Sequence, residues 1–281
     1  MFWRFTAQRL LVERGQLDVV PALIELASDH TVDDLGLNPG ALHALWTLEG
    51  LGAIERDPRA LEVARRALHH PSASLRRAAL MILPRDGRLL DDIFAAGILP
   101  DRTSPHRVDY TVGSAVLQDA DPQVRLTALL AVSELPPDPR AASAIVELIT
   151  TPQNARDRWM PDAAAIAGAK QGTDVALALL RFQPPGRLAE DTAYVAGIQR
   201  SVRLITHHFA MKKDVGALVA LLEAVPEANT RIAEGVLTGI AGGPVDEQGR
   251  QQGGPGGWPE GETAQLTAQQ RAALEGGARR I

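Results

Sequence analysis

The chain has 281 residues, a formal net charge of −5, a sequence pI of about 5.8 and only 4% aromatic residues. This acidic balance excludes a global electrostatic attraction to nucleic acid or to an anionic membrane surface. The sequence contains no cysteine, which excludes a disulfide framework, a thiolate metal site, a cysteine nucleophile and covalent c-type haem attachment within this chain.

Ala and Leu recur along the chain while long alternating β-branched runs are missing, so we predict an all-α fold. The first segment, MFWRFTAQRLLVERG, has the pattern of an amphipathic helix. Its charged residues Arg4, Arg9, Glu13 and Arg14 interrupt any signal-peptide core. No apolar run approaches the ~20 residues of a membrane-spanning helix, so we expect no membrane insertion. A helix already in progress at the start leaves open whether residue 1 is the natural beginning of the folding unit.

A repeated register emerges when this helix is compared with later segments. WRFTAQRLLV aligns with LRRAALMIL and VRLTALLAV, so that an arginine recurs at the same place. An alanine follows that arginine by three residues and an aliphatic residue follows it by seven, which places all three on one helical face. Two weaker copies extend the pattern. The repeat alanines are Ala7, Ala44, Ala79, Ala128 and Ala163.

Helical segments with their own periodicity lie between these copies. They are LDVVPALIELA, RALEVARRALHH, PRAASAIVELIT, TDVALALLRF and KDVGALVALLEAV. Two helices per period of about 35 to 45 residues are typical of a solenoid of stacked antiparallel helix pairs. We predict about six to seven pairs over residues 1–240, with less regular copies around Arg203 and Val236. Within residues 84–110 we expect an enlarged loop or an added turn.

The chain changes character after residue 240. Residues 241–262 are rich in Gly, Pro and Gln and cannot bury a core, so we predict a flexible loop or linker there. Residues 263–281 have the pattern of one more helix. We expect this helix to begin a further repeat whose partner helix is missing from the chain.

The segment DADPQVRLTALLAVSEL resembles a HEAT repeat, with an acidic turn, a proline, Val-Arg and a small-residue helix. In that family an aspartate and an arginine form a ladder between successive repeats, and the resemblance implies this role for Asp119 and Arg125. The shared register puts Arg4 and Arg76 at the arginine position and His70 at the aspartate position. We expect these residues to be structural.

Four more segments resemble the HEAT-repeat region of PVC-type haem-binding, membrane-associated or exported bacterial dehydrogenase-like proteins. They are AQRLLVERG, GLNPGALHALWTLEGLGA, ALHHPSASLRRAALMILP and NARDRWMPDAAAIAGAK. Such proteins join a β-propeller, HEAT repeats and a c-type cytochrome. The resemblance covers residues 3–240 and only the middle module, so it implies a fragment of a larger, periplasmic or exported protein. It assigns no haem, cofactor or redox chemistry to this chain, which contains no CxxCH motif.

The histidines do not form a predicted metal or acid–base site. They include adjacent pairs at 69–70 and 207–208, whose side chains point about 100° apart on a helix. No HExxH motif or i, i+4 histidine pair occurs. We therefore interpret HHPSASLRRAALMILP as a turn followed by a stacking helix, in which Ser72 is an N-cap equivalent to Asp121.

Trp46 and Trp159 fall in repeat helices, where apolar neighbours favour packing in the core. The alternative is that they anchor a bound peptide, because HEAT grooves use aromatic residues in this way. The second helices carry mixed charges instead of the continuous Lys/Arg stripe of a phosphate-binding surface, so we expect no nucleic-acid partner.

The sequence favours a non-catalytic scaffold that binds protein, either other domains of its parent chain or a separate partner. Its stacked helices would supply an extended surface with a few anchors. We predict no catalytic, cofactor-binding or metal-binding residues, and we expect self-association through apolar stripes at the end repeats. Two alternatives stay open: an enzyme on a HEAT-like scaffold, of the DNA glycosylase or bilin lyase type, and a purely structural strut between domains.

Overall fold

The computed structural model describes residues 2–94 and 116–241. Throughout this part of the chain the secondary structure is helical, with 15 α-helices and no strand, which confirms the predicted all-α class. The chain divides into two compact units, Met1–Leu135 (unit 1) and Pro136–Ile281 (unit 2). The linker predicted for residues 241–262, apart from Ala241, and the helix predicted for 263–281 lie outside the described residues.

Unit 1 contains eight α-helices within its described residues. They are α1 (Phe2–Arg14), α2 (Val20–Ala27), α3 (Pro39–Gly50), α4 (Ala53–Arg56), α5 (Pro58–Arg66), α6 (Ala73–Ile82), α7 (Gly87–Phe94) and α8 (Pro122–Ser133). Short 3-10 helices adjoin them at Leu17–Val19, Ala67–His69 and Val116–Gln118.

Unit 2 contributes seven α-helices up to residue 241. They are α9 (Pro139–Thr150), α10 (Pro152–Ala155), α11 (Met160–Lys170), α12 (Asp174–Arg181), α13 (Thr192–Met211), α14 (Val215–Ala224) and α15 (Thr230–Ile240), with 3-10 helices at Gly186–Ala189 and Val225–Glu227. None of the helices in residues 2–94 and 116–241 combines the length and apolar character needed to cross a membrane.

Four helices begin at an Asp-Pro or Asn-Pro pair, and the chemistry of that pair explains where they start. Proline has no amide hydrogen and its φ suits the first helical turn, whereas the residue before it is kept extended. The preceding Asp or Asn side chain then accepts hydrogen bonds from free amides of the first turn. The N-caps of α3, α5, α8 and α9 are Asn38, Asp57, Asp121 and Asp138, with oxygen–nitrogen distances of 2.8 to 3.1 Å.

The repeat alanines of unit 1 lie where its helices meet. α6 packs against α3 and α8, and the alanines of these three helices, Ala44, Ala79 and Ala128, are buried. An alanine presents only a methyl group, so a neighbouring helix can approach closely. The predicted register therefore holds for three successive copies.

α1 departs from this register. It packs against α3 through a face that carries Gln8 and Val12, and none of its residues is buried. Ala7, predicted to lie in a helix contact, is exposed, as is Arg4. The prediction of a buried stripe is wrong for α1 because this helix uses a different face for its contact with α3.

The second helices lie close to their predicted segments, but residues 84–94 contain more structure than expected. The rest of the insertion predicted for residues 84–110 lies outside the described residues. Where we predicted a loop or an added turn, α7 forms two helical turns that bury Leu89, Leu90 and Ile93. Its Asp92 accepts two hydrogen bonds from Arg65 of α5, at 2.7 and 2.6 Å. The spacing of these apolar residues on one face is the signal that predicts such a helix.

α13 is the central helix of unit 2 and packs against α10, α11, α12, α14 and α15. It has 20 residues, whereas the sequence pattern predicts a copy only around Arg203. The first half buries Tyr194, whose hydroxyl donates to the carbonyl oxygen of Thr150 at 2.8 Å. A single long helix therefore replaces the short helix expected here.

At two glycines the backbone of α13 lies in direct contact with the backbone of a neighbouring helix. A Cβ atom at Gly197 would lie 1.8 Å from the carbonyl oxygen of Ala155, at the end of α10. A Cβ atom at Gly235 of α15 would lie 2.7 Å from the carbonyl oxygen of Gln199 in α13. Side chains are excluded at both positions, because these distances are shorter than van der Waals contact.

We predict that Gly197→Ala lowers the free energy of unfolding of unit 2 by about 3 kcal/mol, because the new methyl overlaps a backbone oxygen that cannot move independently. Gly216→Ala is the matched control, since its Cβ would lie 3.7 Å from the nearest atom. That control should be neutral or stabilising by about 0.5 kcal/mol. Urea denaturation followed by circular dichroism measures both, and equal effects would contradict the proposed close packing.

Candidate functional site

No metal centre emerges from the part of the chain that the structure describes. Within it, no group of three or more His, Cys, Asp or Glu side chains could hold a metal ion. A pocket beside the Arg65–Asp92 ion pair, lined also by Leu61 and Leu89, has a volume of about 20 Å³. That volume holds about one water molecule, so it does not admit a substrate.

Arg76 and Asp119 form an ion pair that joins two successive copies of the register. The Nε and Nη2 atoms of Arg76 donate to the two carboxylate oxygens of Asp119 at 2.6 and 2.8 Å. Its Nη1 donates to the carbonyl oxygens of His70 and Pro71 at 2.8 and 2.9 Å. Only 12% and 10% of the two side chains are exposed, so solvent screens this pair much less than a surface ion pair.

His70 occupies the position in the preceding turn that Asp119 occupies before α8. Oδ1 of Asp119 accepts from the amide of Asp121 at 2.8 Å, and Nδ1 of His70 accepts from the amide of Ser72 at 2.9 Å. Because Nδ1 is an acceptor, the proton of the neutral ring lies on Nε2. Nε2 donates to the carbonyl oxygen of Asp29 at 2.9 Å. His70 thus reaches the preceding copy by a neutral hydrogen bond, where Asp119 uses an ion pair.

Burial holds the pKa of His70 below its ordinary value of 6.5. The positive charges of His30 and Arg76 lower the pKa further, while the hydrogen bond to Asp29 and the carboxylate of that residue oppose the shift. The ring of His30 stacks on that of His70 with centroids 5.2 Å apart. The neutral form also keeps Nδ1 free to accept from Ser72, so geometry and charge favour the same state.

Four of the five predicted ladder residues are in one hydrogen-bonded chain: His70, Arg76, Asp119 and Arg125. Arg125 donates from Nη1 to the main-chain oxygen of Asp119 at 2.6 Å, while its buried Nε has no hydrogen-bond partner. Arg4 is exposed on α1 and forms no ion pair or hydrogen bond with the described residues, so it does not join them. We call the four connected residues the ladder residues.

Ser72 is the N-cap residue of α6, but its side chain does not cap the helix as predicted. Its hydroxyl lies 2.9 Å from that of Ser74, and no helix amide donates to it. The main-chain amide of Ser72 instead bonds to the His70 ring. The joint predicted at this turn is therefore organised by the histidine rather than by the serine.

The two tryptophans that we considered as core residues differ. Trp46 is half-buried in α3, whereas Trp159 is 55% exposed, so the core interpretation is wrong for Trp159. The reason is the start of α11. The carboxylate of Asp157 accepts from the amides of Trp159 and Met160 at 2.7 and 2.9 Å, which begins the helix so that Met160 enters the core in place of the tryptophan.

Trp159 and Trp3 have the same register position. Each lies four residues before the repeat alanine of its helix, and Ile166 and Leu10 follow that alanine by three residues. These side chains are 55% (Trp159), 79% (Trp3), 55% (Ile166) and 53% (Leu10) exposed. In α6 and α8 the equivalent positions are buried or half-buried. The sequence analysis did not predict that the Trp3–Leu10 and Trp159–Ile166 pairs are exposed, although the repeat register places the two pairs at equivalent positions.

Comparison of the chain with protein-family models, with curated proteins and with solved structures gives no match in any of the three. The resemblance to HEAT repeats and to the dehydrogenase-like proteins therefore stays a prediction.

We predict that Arg76→Ala lowers the free energy of unfolding of unit 1 by about 3 kcal/mol, because it leaves the carboxylate of Asp119 buried without its cation. Arg77→Ala is the matched control on the same helix, since Arg77 is exposed and should change stability by less than about 0.5 kcal/mol. Chemical denaturation measures both variants. A loss for Arg76→Ala no larger than that for Arg77→Ala would show that the pair does not join the copies.

The lowered pKa of His70 predicts a loss of stability in mild acid. In the unfolded chain this group has its ordinary pKa, so as the pH falls below about 6.5 the unfolded state takes up the proton first. The stabilisation from neutral His70 is complete above that pH and is lost as the pH falls toward the folded-state pKa. His43, His69 and His208 also have lowered pKa values, so His70 must be isolated by substitution.

His70→Gln should be less stable than the unmodified chain at about pH 8, because it loses the specific bonds of the ring, but should lose less stability between about pH 7 and pH 5. Denaturation of both proteins across this pH range measures the difference. Parallel curves for the two proteins would contradict the assignment of a neutral, hydrogen-bonded His70.

Proposed function

We propose that the chain is a non-catalytic helical-repeat scaffold that binds protein through apolar side chains exposed on its repeat helices. The observation that supports this proposal best is the equivalence of the Trp3–Leu10 and Trp159–Ile166 pairs. Both pairs put a large aromatic and an aliphatic residue on the surface at the same register position, once in each unit.

The physical basis is the cost of leaving such side chains in water. Burial of apolar surface is worth roughly 25 cal/mol per Å², and a tryptophan carries one of the largest apolar areas of any residue. Trp is also enriched among the few residues that supply most of the binding energy of protein interfaces. Two such pairs at equivalent positions are therefore better explained by binding than by incidental exposure.

We further propose that the helices of each unit stack as HEAT-type pairs, as the sequence resemblance implies. The buried alanines of α3, α6 and α8 and the ladder residues support this proposal, because they link successive copies by equivalent contacts. If the dehydrogenase-like resemblance also holds, the partner is a neighbouring module of the parent protein, in a periplasmic or exported setting.

Capture of partners by two double variants tests the scaffold function. Trp3→Ser/Leu10→Ser and Trp159→Ser/Ile166→Ser each remove one exposed pair, and Met81→Ser, on a side chain that is 49% exposed, is the matched control. We expect quantitative mass spectrometry of captured proteins to find partners that the control retains and at least one double variant loses. Equal capture by all variants, or no specific capture, would contradict the proposal and favour a strut or an enzyme.

The exposed face of α1 also predicts self-association. Phe2, Trp3, Phe5 and Leu10 are 71%, 79%, 56% and 53% exposed, so contact between two copies through α1 would remove these large apolar side chains from water. We expect the mass from light scattering to rise above the monomer value as concentration increases, and to rise less for Trp3→Ser/Leu10→Ser. A monomer at every concentration would show that α1 does not mediate self-association.

A further inference from the structure

On the basis of the proposed function, we infer that a surface of unit 2 binds an acidic peptide segment that carries apolar side chains. This α11 surface consists of Trp159 and Ile166, together with the guanidinium groups of Arg158, Arg200 and Arg203. The inference goes beyond a general scaffold role because it gives the chemistry of the partner.

The apolar part of the α11 surface runs from the N-cap residue Trp159 along one side of α11. Trp159 and Ile166 are seven residues apart, so they lie on the same side of α11, about 10 Å apart along its axis. Each is 55% exposed, whereas Met160 and Ala163 beside them are buried in unit 2. A short segment of a partner can therefore contact both exposed side chains at once, with its own apolar residues against them.

The arginines give this stripe a positive border. Arg200 of α13 pairs with Asp162 of α11, with Nη2 donating to Oδ2 at 2.7 Å, and this pair fixes α13 beside the stripe. Arg203 forms no hydrogen bond or ion pair with the described residues. The guanidinium of Arg158 lies 4.7 Å from the ring centroid of Trp159 and has no carboxylate partner among those residues. Two guanidinium groups are thus available to carboxylates of a ligand.

Arg203 is half-buried beside a second positive charge. Its pKa is lowered, first by burial and then by the positive charge of Arg200, while Asp162 opposes the shift. A carboxylate placed beside Arg203 would compensate both effects. Although the whole chain carries a charge of −5, the guanidinium groups of this border attract an acidic ligand locally.

An acidic peptide fits these residues better than nucleic acid does. The α11 surface places its three guanidinium groups beside two apolar side chains, and the carboxylates of Asp157 and Asp162 lie between the cations. Nucleic-acid surfaces instead present a continuous row of cations, and their affinity comes mainly from phosphate contacts. The exposed aliphatic Ile166 has no role in such contacts, whereas it is an ordinary part of a protein interface.

Fluorescence anisotropy with a labelled synthetic peptide tests the inference on the full chain. The probe places one Leu and one Phe among glutamates, and its two controls replace every glutamate with glutamine or with lysine. We expect the glutamate peptide to bind, the glutamine peptide to bind about tenfold more weakly and the lysine peptide not to bind. Binding of the glutamate peptide should weaken as salt concentration rises.

Matched variants locate the bound peptide. Trp159→Ser and Ile166→Ser should each weaken binding about tenfold, and Met211→Ser, on a side chain of α13 that is 65% exposed, should not. Arg203→Gln and Arg158→Gln should weaken binding and reduce its salt dependence, whereas Arg231→Gln, at an exposed residue of α15, should leave both unchanged. Each variant is checked by circular dichroism, so that a loss of fold is not counted as a loss of binding.

The inference is overturned if the glutamate peptide does not bind, if the lysine peptide binds as well, or if Trp159→Ser leaves binding unchanged. It is also overturned if duplex DNA binds in a salt-dependent manner that Arg203→Gln and Arg158→Gln abolish. The scaffold function fails separately, when the chain captures no partner through either exposed pair. A captured partner that depends on Trp159 but presents no acidic segment would retain the scaffold and remove only the inference.

Discussion

The ion pair between Arg76 and Asp119 is the interaction on which the organisation of unit 1 depends. It joins side chains 43 residues apart in sequence, and the same guanidinium group also holds the main chain of the turn before α6. Because both partners are largely buried, the pair fixes one register between α6 and the turn that leads into α8. Once this register is fixed, the repeat alanines lie where neighbouring helices meet.

Other contacts between helices in the two units differ from this ion pair in their chemistry. In the preceding turn His70 makes the equivalent contact as a neutral ring, which needs a carbonyl oxygen rather than an arginine in the previous copy. Unit 2 relies on another device, since Gly197 and Gly235 let helix backbones touch around α13. In unit 2 the side chains of Trp159 and Ile166 stay exposed.

Local signals predicted most of the helices, because each signal acts within a few residues. The Asp-Pro pair at 138–139 and the apolar period that follows predict α9 with both its ends. The core position predicted for Trp159 was wrong because the prediction considered only its apolar neighbours. The hydrogen bond from the amide of Met160 to Asp157 starts the helix so that Met160, and not Trp159, enters the core. The long α13 was missed because its first half packs through Gly197 and Tyr194, and such close contacts depend on partners distant in sequence. The pairing of Arg76 with Asp119 rested on resemblance, since spacing alone does not identify the partner of a charge.

We propose that α11 buries its repeat alanine, Ala163, and presents Trp159 and Ile166 to a protein partner. Hydrogen–deuterium exchange of the full chain, with and without the glutamate peptide, tests it most directly. We expect slower exchange in α11 and around Arg203 when the peptide is bound, and unchanged exchange in α14. Protection confined to other helices, or no protection at saturating peptide, would contradict the account.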